Sequence, residues 1–141
     1  MDTELRIDLL PWDEARGHAA PIRFEVFVEE QGVPLEIELD EMDQKSFHAL
    51  AFHEGKPVGT GRLLPDGHIG RMAVLKAWRG RGIGARILGR LMDEARARGD
   101  REVVLSAQVH ATAFYRMHGF LEEGEEYLDA GIPHRDMRRS L

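Results

Sequence analysis

The 141-residue chain contains no cysteine, which excludes a disulfide framework, a thiolate metal site and a cysteine nucleophile. No apolar run approaches the ~20 residues that a membrane-spanning helix needs. The first residues, Met1-Asp2-Thr3-Glu4, are acidic and lack the basic-then-apolar layout of a signal peptide. The expectation is a soluble, cytoplasmic protein without a membrane partner. A basic surplus is also missing: 25 acidic side chains stand against 19 lysines and arginines, a net charge of −6. That balance argues against general nucleic-acid binding. Linkers, internal repeats and low-complexity segments are absent, so residues 1–141 read as one domain. Its length is enough to bury roughly two-thirds of the unfolded surface.

What is present is unevenly distributed. Residues 1–48 carry 4 basic and 13 acidic side chains, whereas residues 71–101 carry 9 basic and 3 acidic. An acidic front and a basic centre suit an anionic ligand in the middle of the chain and a cationic group approaching from elsewhere. Leu5–Leu9 alternates with period two and predicts a strand. A helix is expected over Ile22–Gln31, stopped by Gly32, followed by an acidic irregular segment, Val33–Lys45. His48–His53 and Val58–Leu64 flank Glu54-Gly55-Lys56-Pro57 and predict a hairpin. Asp66-Gly67 leads into a third strand, Ile69–Leu75, where Gly70 suggests a bulge or a close backbone approach. Apolar residues at helical spacing predict a long helix from Gly82 to about Arg98. A short buried strand (Val103–Leu105), a short helix (Ala111–His118) and two closing strands (121–128 and His134–Arg138) complete a β-α-β-β-β-α-β-α-β-β order. The fold class is α/β, with a mixed, mostly antiparallel central sheet and helices on both faces.

Between the third strand and the long helix lies Arg79-Gly80-Arg81-Gly82-Ile83-Gly84. A glycine-rich turn opening a helix presents unpaired N–H groups at the positive end of the helix dipole, which favours a phosphate. Ala85-Arg86 follows where a P-loop needs Lys-Ser/Thr, and glycines at strict intervals of two do not match a dinucleotide fingerprint. A plain strand-to-helix turn is the alternative reading of the loop taken alone.

The turn, together with Ala111-x-x-Phe114-Tyr115-x-x-x-Gly119-Phe120 about thirty residues on, resembles the GCN5-related N-acetyltransferase (GNAT) superfamily. Further patches are similar to its ElaA/YjcF-like branch: Val26-Phe27-Val28-x-Glu30-Gln31-x-Val33-Pro34, Glu38-x-Asp40-x-x-Asp43 leading to His48, and Asp129-Ala130-Gly131-Ile132-Pro133-His134. The likeness spans nearly the whole chain. It implies a GNAT-like fold, acetyl-CoA as co-substrate without a metal, and transfer of the acetyl group to a primary amine on a small molecule or peptide. A homodimer is common among such proteins. Binding of acyl-CoA without turnover, as in a sensor, and an arginine-glycine RNA patch at 79–84 are the readings from other classes.

By resemblance, Met72, Ala73 and Val74 hold the pantetheine arm through their backbone, and the Ala73 or Val74 N–H is an oxyanion donor. Arg79, Gly80, Arg81, Gly82, Ile83, Gly84 and Ala85 cradle the pyrophosphate. The resemblance puts Tyr115 beside the CoA sulfur as general acid, and Phe114 reads as core. Many family members carry a glutamate base on the strand before the loop, but Ile69-Gly70-Arg71-Met72-Ala73-Val74 has none. Substitutes are Glu30, Glu38, Asp40, His110 and His134, with His134 favoured by its place in the closing pattern. Arg71 stands in the acid's place as a candidate to bind a carboxylate on the acceptor. Glu36–Asp43 reads first as a loop kept soluble by charge. An acceptor-binding rim including Glu38 and a divalent-ion site are the alternatives, the latter without a calcium-loop glycine. Trp12 and Trp78 carry no motif and read as packing residues.

Overall fold

In the computed structural model, which describes residues 4–38 and 40–141, the strand Phe47–His53 (β2) is buried on both faces. Its period-two alternation therefore splits into two cores. Ala49 and Ala51 face one layer, and Leu50 and Phe52 face the other. β2 lies between Leu5–Pro11 (β1) and Lys56–Leu63 (β3), and Ile69–Val74 (β4) extends the antiparallel order β1-β2-β3-β4. The β2–β3 hairpin turns on Glu54 and Gly55, both at positive φ (51° and 79°). This is the two-residue turn whose twist matches the strands. Met1–Thr3, most of the acidic terminus, and Leu39, within the acidic stretch, lie outside the described residues.

Two helices cover this sheet from opposite sides. Ile83–Ala97 (α3) buries Ile83, Ile87, Leu88, Leu91, Met92 and Ala95, the spacing expected of an amphipathic helix. It comes unusually close to β3: a Cβ built on Gly59 would meet Ile87 Cδ1 at 2.9 Å, and one on Gly61 would meet Ile87 Cγ2 at 3.0 Å. On the other face lies Trp12–Arg23 (α1), which begins ten residues before the expected helix. Its buried stripe is built from Trp12, Ala15, Ala19, Ile22 and Val26. Two of these five are alanines, and Gly17 and Pro21 interrupt the propensity, so the pattern is faint in the sequence. The helix runs on into a π-helical segment, Phe24–Glu30, where the Gln31 N–H donates to the Val26 carbonyl at 3.2 Å. The segment expected to be irregular forms two short turns instead, Leu35–Glu38 (α2) and a 3₁₀ turn at Glu41–Lys45.

The second sheet has the order β5-β7-β6, all antiparallel, from Glu102–Gln108 (β5), Leu121–Asp129 (β6) and Ile132–Ser140 (β7). The turn Ala130-Gly131 has φ of 52° and 76°, as a two-residue hairpin requires. β5 and β7 run further than expected, because Val103, Leu105, Ala107 and Met137 alternate into the α3 core. The helix Thr112–Met117 (α4) follows a 3₁₀ turn at Val109–Ala111. The sheets touch where His68 pairs in parallel with Val104, the one parallel pairing among the described residues. No helix among the described residues is long and apolar enough to cross a membrane.

Candidate active site

Past the His68–Val104 bridge, β4 and β5 are not paired among the described residues. The opening between these two sheet edges is a cleft of ≈ 1080 Å³. Leu75 N–H donates to Val58 O at 2.9 Å, and the ladder pairs Thr60 with Ala73 and Gly59 with Val74. Because antiparallel hydrogen bonding alternates, Ala73 turns its backbone groups toward β3, and Val74 turns its own toward the cleft. Of the two expected oxyanion donors, the Val74 N–H has the suitable direction. The Val74 carbonyl is taken, since it accepts from Arg79 Nε at 2.9 Å.

At one end of the cleft stands the glycine turn. Gly80 and Gly82 have φ of 78° and 79°, and no atom would meet a Cβ on either within 4 Å. Gly82 caps α3 without a side-chain hydrogen bond, and the first intrahelical bond runs from Arg86 N–H to Gly82 O at 3.2 Å. The N–H groups of Ile83, Gly84 and Ala85 therefore have no intrahelical acceptor, and all three residues line the cleft. That donor set fits the pyrophosphate of an acyl-CoA.

The two loop arginines differ from expectation. Arg79 lines the cleft, but its guanidinium forms a two-pronged ion pair with Glu30 at 2.6 and 2.7 Å. This pairing holds the Glu30 carboxyl below its ordinary range. Arg81 does not line the cleft and lies over the Trp78 ring at 4.6 Å. Trp78, expected only to pack, forms part of the cleft wall.

Tyr115 and Phe114 reach the cleft from α4. Phe114 also packs against the α3 core, with its ring tip 3.6 Å from where a Cβ on Gly84 would stand. The Tyr115 hydroxyl has no hydrogen-bond partner among the described residues, and burial pushes its pKa up to about 12. A phenol in that state keeps its proton at neutral pH.

The proposed bases separate clearly. Glu38 reaches the cleft wall but is only 2% exposed, with Arg23 Nε donating to its Oε1 at 2.6 Å. Asp40 receives Arg62 through both oxygens, at 2.7 and 2.9 Å, and the Arg62 hydrogen bond holds its carboxyl below the ordinary range. Glu30 is tied to Arg79, and His110 Nε2 lies 2.6 Å from Gln108 Oε1, to which it must donate. Like His110, whose Nδ1 has no partner among the described residues, His134 keeps one ring nitrogen open. Its Nδ1 lies 2.7 Å from the Ile132 carbonyl; a carbonyl only accepts, so Nδ1 carries a proton, and in the neutral ring the lone pair is on Nε2. His134 lines the cleft opposite β4.

The acidic stretch is not a charged solubilising loop. Asp43 is buried beside Glu38, receiving Arg23 Nη1 at 2.7 Å and Arg62 Nη1 at 2.9 Å. Three carboxylates (Glu38, Asp40, Asp43) thus meet three guanidiniums (Arg23, Arg62, Arg71) under the cleft floor. Arg23 and Arg62 carried no motif; their only signal was a charged residue beside the buried stripe of α1 and another within an otherwise buried strand. Arg71 sits in a β4 bulge, where the register slips against Thr60–Arg62 of β3. Its φ of 49° costs an L-residue about 1–2 kcal/mol. The bulge foreseen at Gly70 is there, with the left-handed residue one position later.

A sequence profile of the acetyltransferase (GNAT) domain matches residues 14–141. The chain is 43% identical over 131 residues to the uncharacterised N-acetyltransferase YjcF of Bacillus subtilis, covering 90% of this chain and 94% of that protein. Its fold superposes on an acyl-CoA N-acyltransferase from Pseudomonas aeruginosa with a TM-score of 0.85 at 32% identity, over 96% of this chain and 99% of that one. It also superposes on ElaA of Escherichia coli with a TM-score of 0.86 at 27% identity, over the same shares.

Proposed function

Since the chain belongs to the GNAT acetyltransferase family and is an acyl-CoA-dependent N-acyltransferase, we propose that it transfers an acetyl group from acetyl-CoA to a primary amine by direct attack. The reading rests on one observation: a single cleft between β4 and β5 has uncapped helix amides at one end, a protonated phenol in its wall and an imidazole lone pair opposite.

The Ile83, Gly84 and Ala85 amides would hold the pyrophosphate, while the Met72–Val74 edge lies alongside the pantetheine arm. A lysine-like amine with pKa ~10.4 is only ~0.04% neutral at pH 7. His134 Nε2 takes its proton, and the freed nitrogen lone pair forms the bond to the thioester carbon. The Val74 N–H faces the developing oxyanion. As the C–S bond breaks, the electron pair leaves on sulfur and Tyr115 gives it a proton; the phenolate takes up the second proton that the acylated nitrogen sheds, and His134 releases its own to solvent.

Release of CoA thiol across an amine library tests the reaction. Tyr115→Phe should lower turnover ~10²–10⁴-fold with acetyl-CoA affinity kept, and unchanged turnover would remove Tyr115 from the chemistry. Acetyl-CoA that stabilises the fold while no amine releases thiol would favour a sensor instead.

A further inference from the structure

Across the sheet that carries His134, three polar side chains form a hydrogen-bond chain that the acyl-transfer steps leave unused. Ser106 of β5 stands opposite Asp136 of β7, and Gln108, His134 and Tyr127 make the next row, two residues along. Positions two apart share a face of a strand, so Ser106, Tyr127, His134 and Asp136 lie together. The Tyr127 hydroxyl donates to Asp136 Oδ1 at 2.6 Å and is also hydrogen-bonded to Ser106 Oγ. Its ring stacks on His134, with centroids 6.1 Å apart and planes 24° from parallel.

The chain runs in one direction. A carboxylate only accepts, so the single phenol proton goes to Asp136. Partial burial first, and the bond to Asp136 second, raise the phenol pKa and hold that proton on the ring oxygen. The Ser106 O–H then donates to the Tyr127 oxygen, and Ser106 Oγ is left with lone pairs alone. Ser106 lines the cleft, to which it offers only an acceptor. It lies two residues past Val104, as Gly70 lies two past His68, the partner of Val104 in the bridge between the sheets. In the proposed acyl transfer the pantetheine arm lies further along, at Met72–Val74, which leaves the Ser106 end to the acyl acceptor.

A primary ammonium has three N–H bonds to place. In the proposed reaction one proton goes to His134 and one to the Tyr115 phenolate, and the third stays on the amide product. We propose that Ser106 Oγ accepts that third N–H, which makes Ser106 a specificity residue for primary amines, with Tyr127 and Asp136 as positioning residues that fix the polarity of its hydroxyl. Ser106 and His134 are diagonal neighbours across β5 and β7, a relation that sets Cα atoms ~7–8 Å apart. Two acceptors on one tetrahedral nitrogen stand about 4.7 Å apart, a span that side chains leaning together from such positions can reach. A secondary amine spends both of its protons on the chemistry and has none for Ser106. The inference rests on the reading of the cleft as the site of acyl transfer.

Primary amines and their N-methyl partners of equal chain length test it, followed by CoA thiol release at saturating acetyl-CoA. The primary member should show the higher kcat/KM. Ser106→Ala should lower that value about tenfold, mainly through KM, barely change it for the N-methyl partner, and keep the affinity for acetyl-CoA. Asp136→Asn can donate as well as accept, so the chain can reverse and turn the Ser106 O–H toward the cleft. It should cause part of the same loss in the parent protein and no further loss in the Ser106→Ala background. A side chain that only held the sheet together would cost the same in both backgrounds. Unfolding midpoints show that each variant is folded. A primary-amine preference that survives Ser106→Ala, a fall in acetyl-CoA affinity instead, or equal losses from Asp136→Asn in both backgrounds overturns the inference and leaves acyl transfer standing. Acetyl-CoA binding by the parent protein without turnover on any amine overturns both.

Discussion

Arg23 ends α1 with its guanidinium between two carboxylates that are themselves closed off from water. It donates to Glu38 and Asp43 at 2.6 and 2.7 Å, and it stacks 5.3 Å from the Trp12 ring centroid. Buried ion pairs add little net stability when complete, but losing one partner leaves a charge with no compensation. Arg23→Met should therefore destabilise the protein by ~3–5 kcal/mol, read from denaturant unfolding. A loss near zero would show that Glu38 and Asp43 reach water in solution. The same pairing leaves both acids poorly suited to take up a proton. His134 differs because its backbone carbonyl partner fixes the tautomer without consuming the second nitrogen.

At the level of elements, α3 joins the packing of the sheet to the proposed phosphate turn. Its flank packs on β3 only because Gly59 and Gly61 lack side chains. A Cβ on Gly59 would press on Ile87 and, at 3.2 Å, on the Ala73 carbonyl, which cannot move without shifting β4. Gly59→Ala should cost ~1–3 kcal/mol, measured as a fall in unfolding midpoint. Stability equal to the parent protein would mean that α3 can lift from the sheet. At the amino end of α3, Gly82→Glu places a negative charge over the uncapped amides and should weaken acetyl-CoA binding by about tenfold or more. Gly82→Asn, which tolerates the same left-handed φ, controls for strain and should lose much less. Equal affinities for the two variants would deny the turn its phosphate role.

This glycine turn was legible in the sequence because a positive φ and an open helix end leave local marks. The ion pair of Arg79 was hidden for the opposite reason. Its partner Glu30 lies 49 residues away on a π-helical segment, and nothing near either residue announces the pairing. The start of α1 was hidden as well, since the small residues Ala15 and Ala19 become a packing stripe only when β2 supplies Leu50 and Phe52.

Taken as a whole, the molecule is two antiparallel sheets that meet at His68–Val104 and part beyond it. Beneath the parting lies the ion network, with His48 against its edge. The His48 Nε2–H donates to the Asp43 carbonyl at 2.9 Å, and burial holds the imidazole pKa below its ordinary 6.5. The folded protein keeps this ring neutral, whereas the unfolded chain takes up a proton as pH falls past 6.5. Its contribution to stability is thus complete above pH ~6.5 and is lost progressively below it, by at most ~1.4 kcal/mol per pH unit. Asp40, held below its ordinary 3.8, opens a second window at lower pH with the same sign. Unfolding free energies at pH 8, 6 and 5 should decline only in the acid range, and His48→Asn should flatten that decline. A rise in stability between pH 7 and 5 would contradict the assignment.

The order of elements along the chain, the hairpin turns and the α3 stripe followed from the sequence by itself, because periodicity, turn chemistry and helix ends act over a few neighbouring residues. The motif pair at 79–84 and 111–120 also carried the family. Only the tertiary structure decided that Glu38, Asp40 and Asp43 pair with arginines, and that Arg71 and His134 line one cleft. The reason is the range of the forces. Whether a charge is solvated, paired or left open depends on groups that folding gathers from α1, β3, β4 and β7, and no window along the chain contains them together.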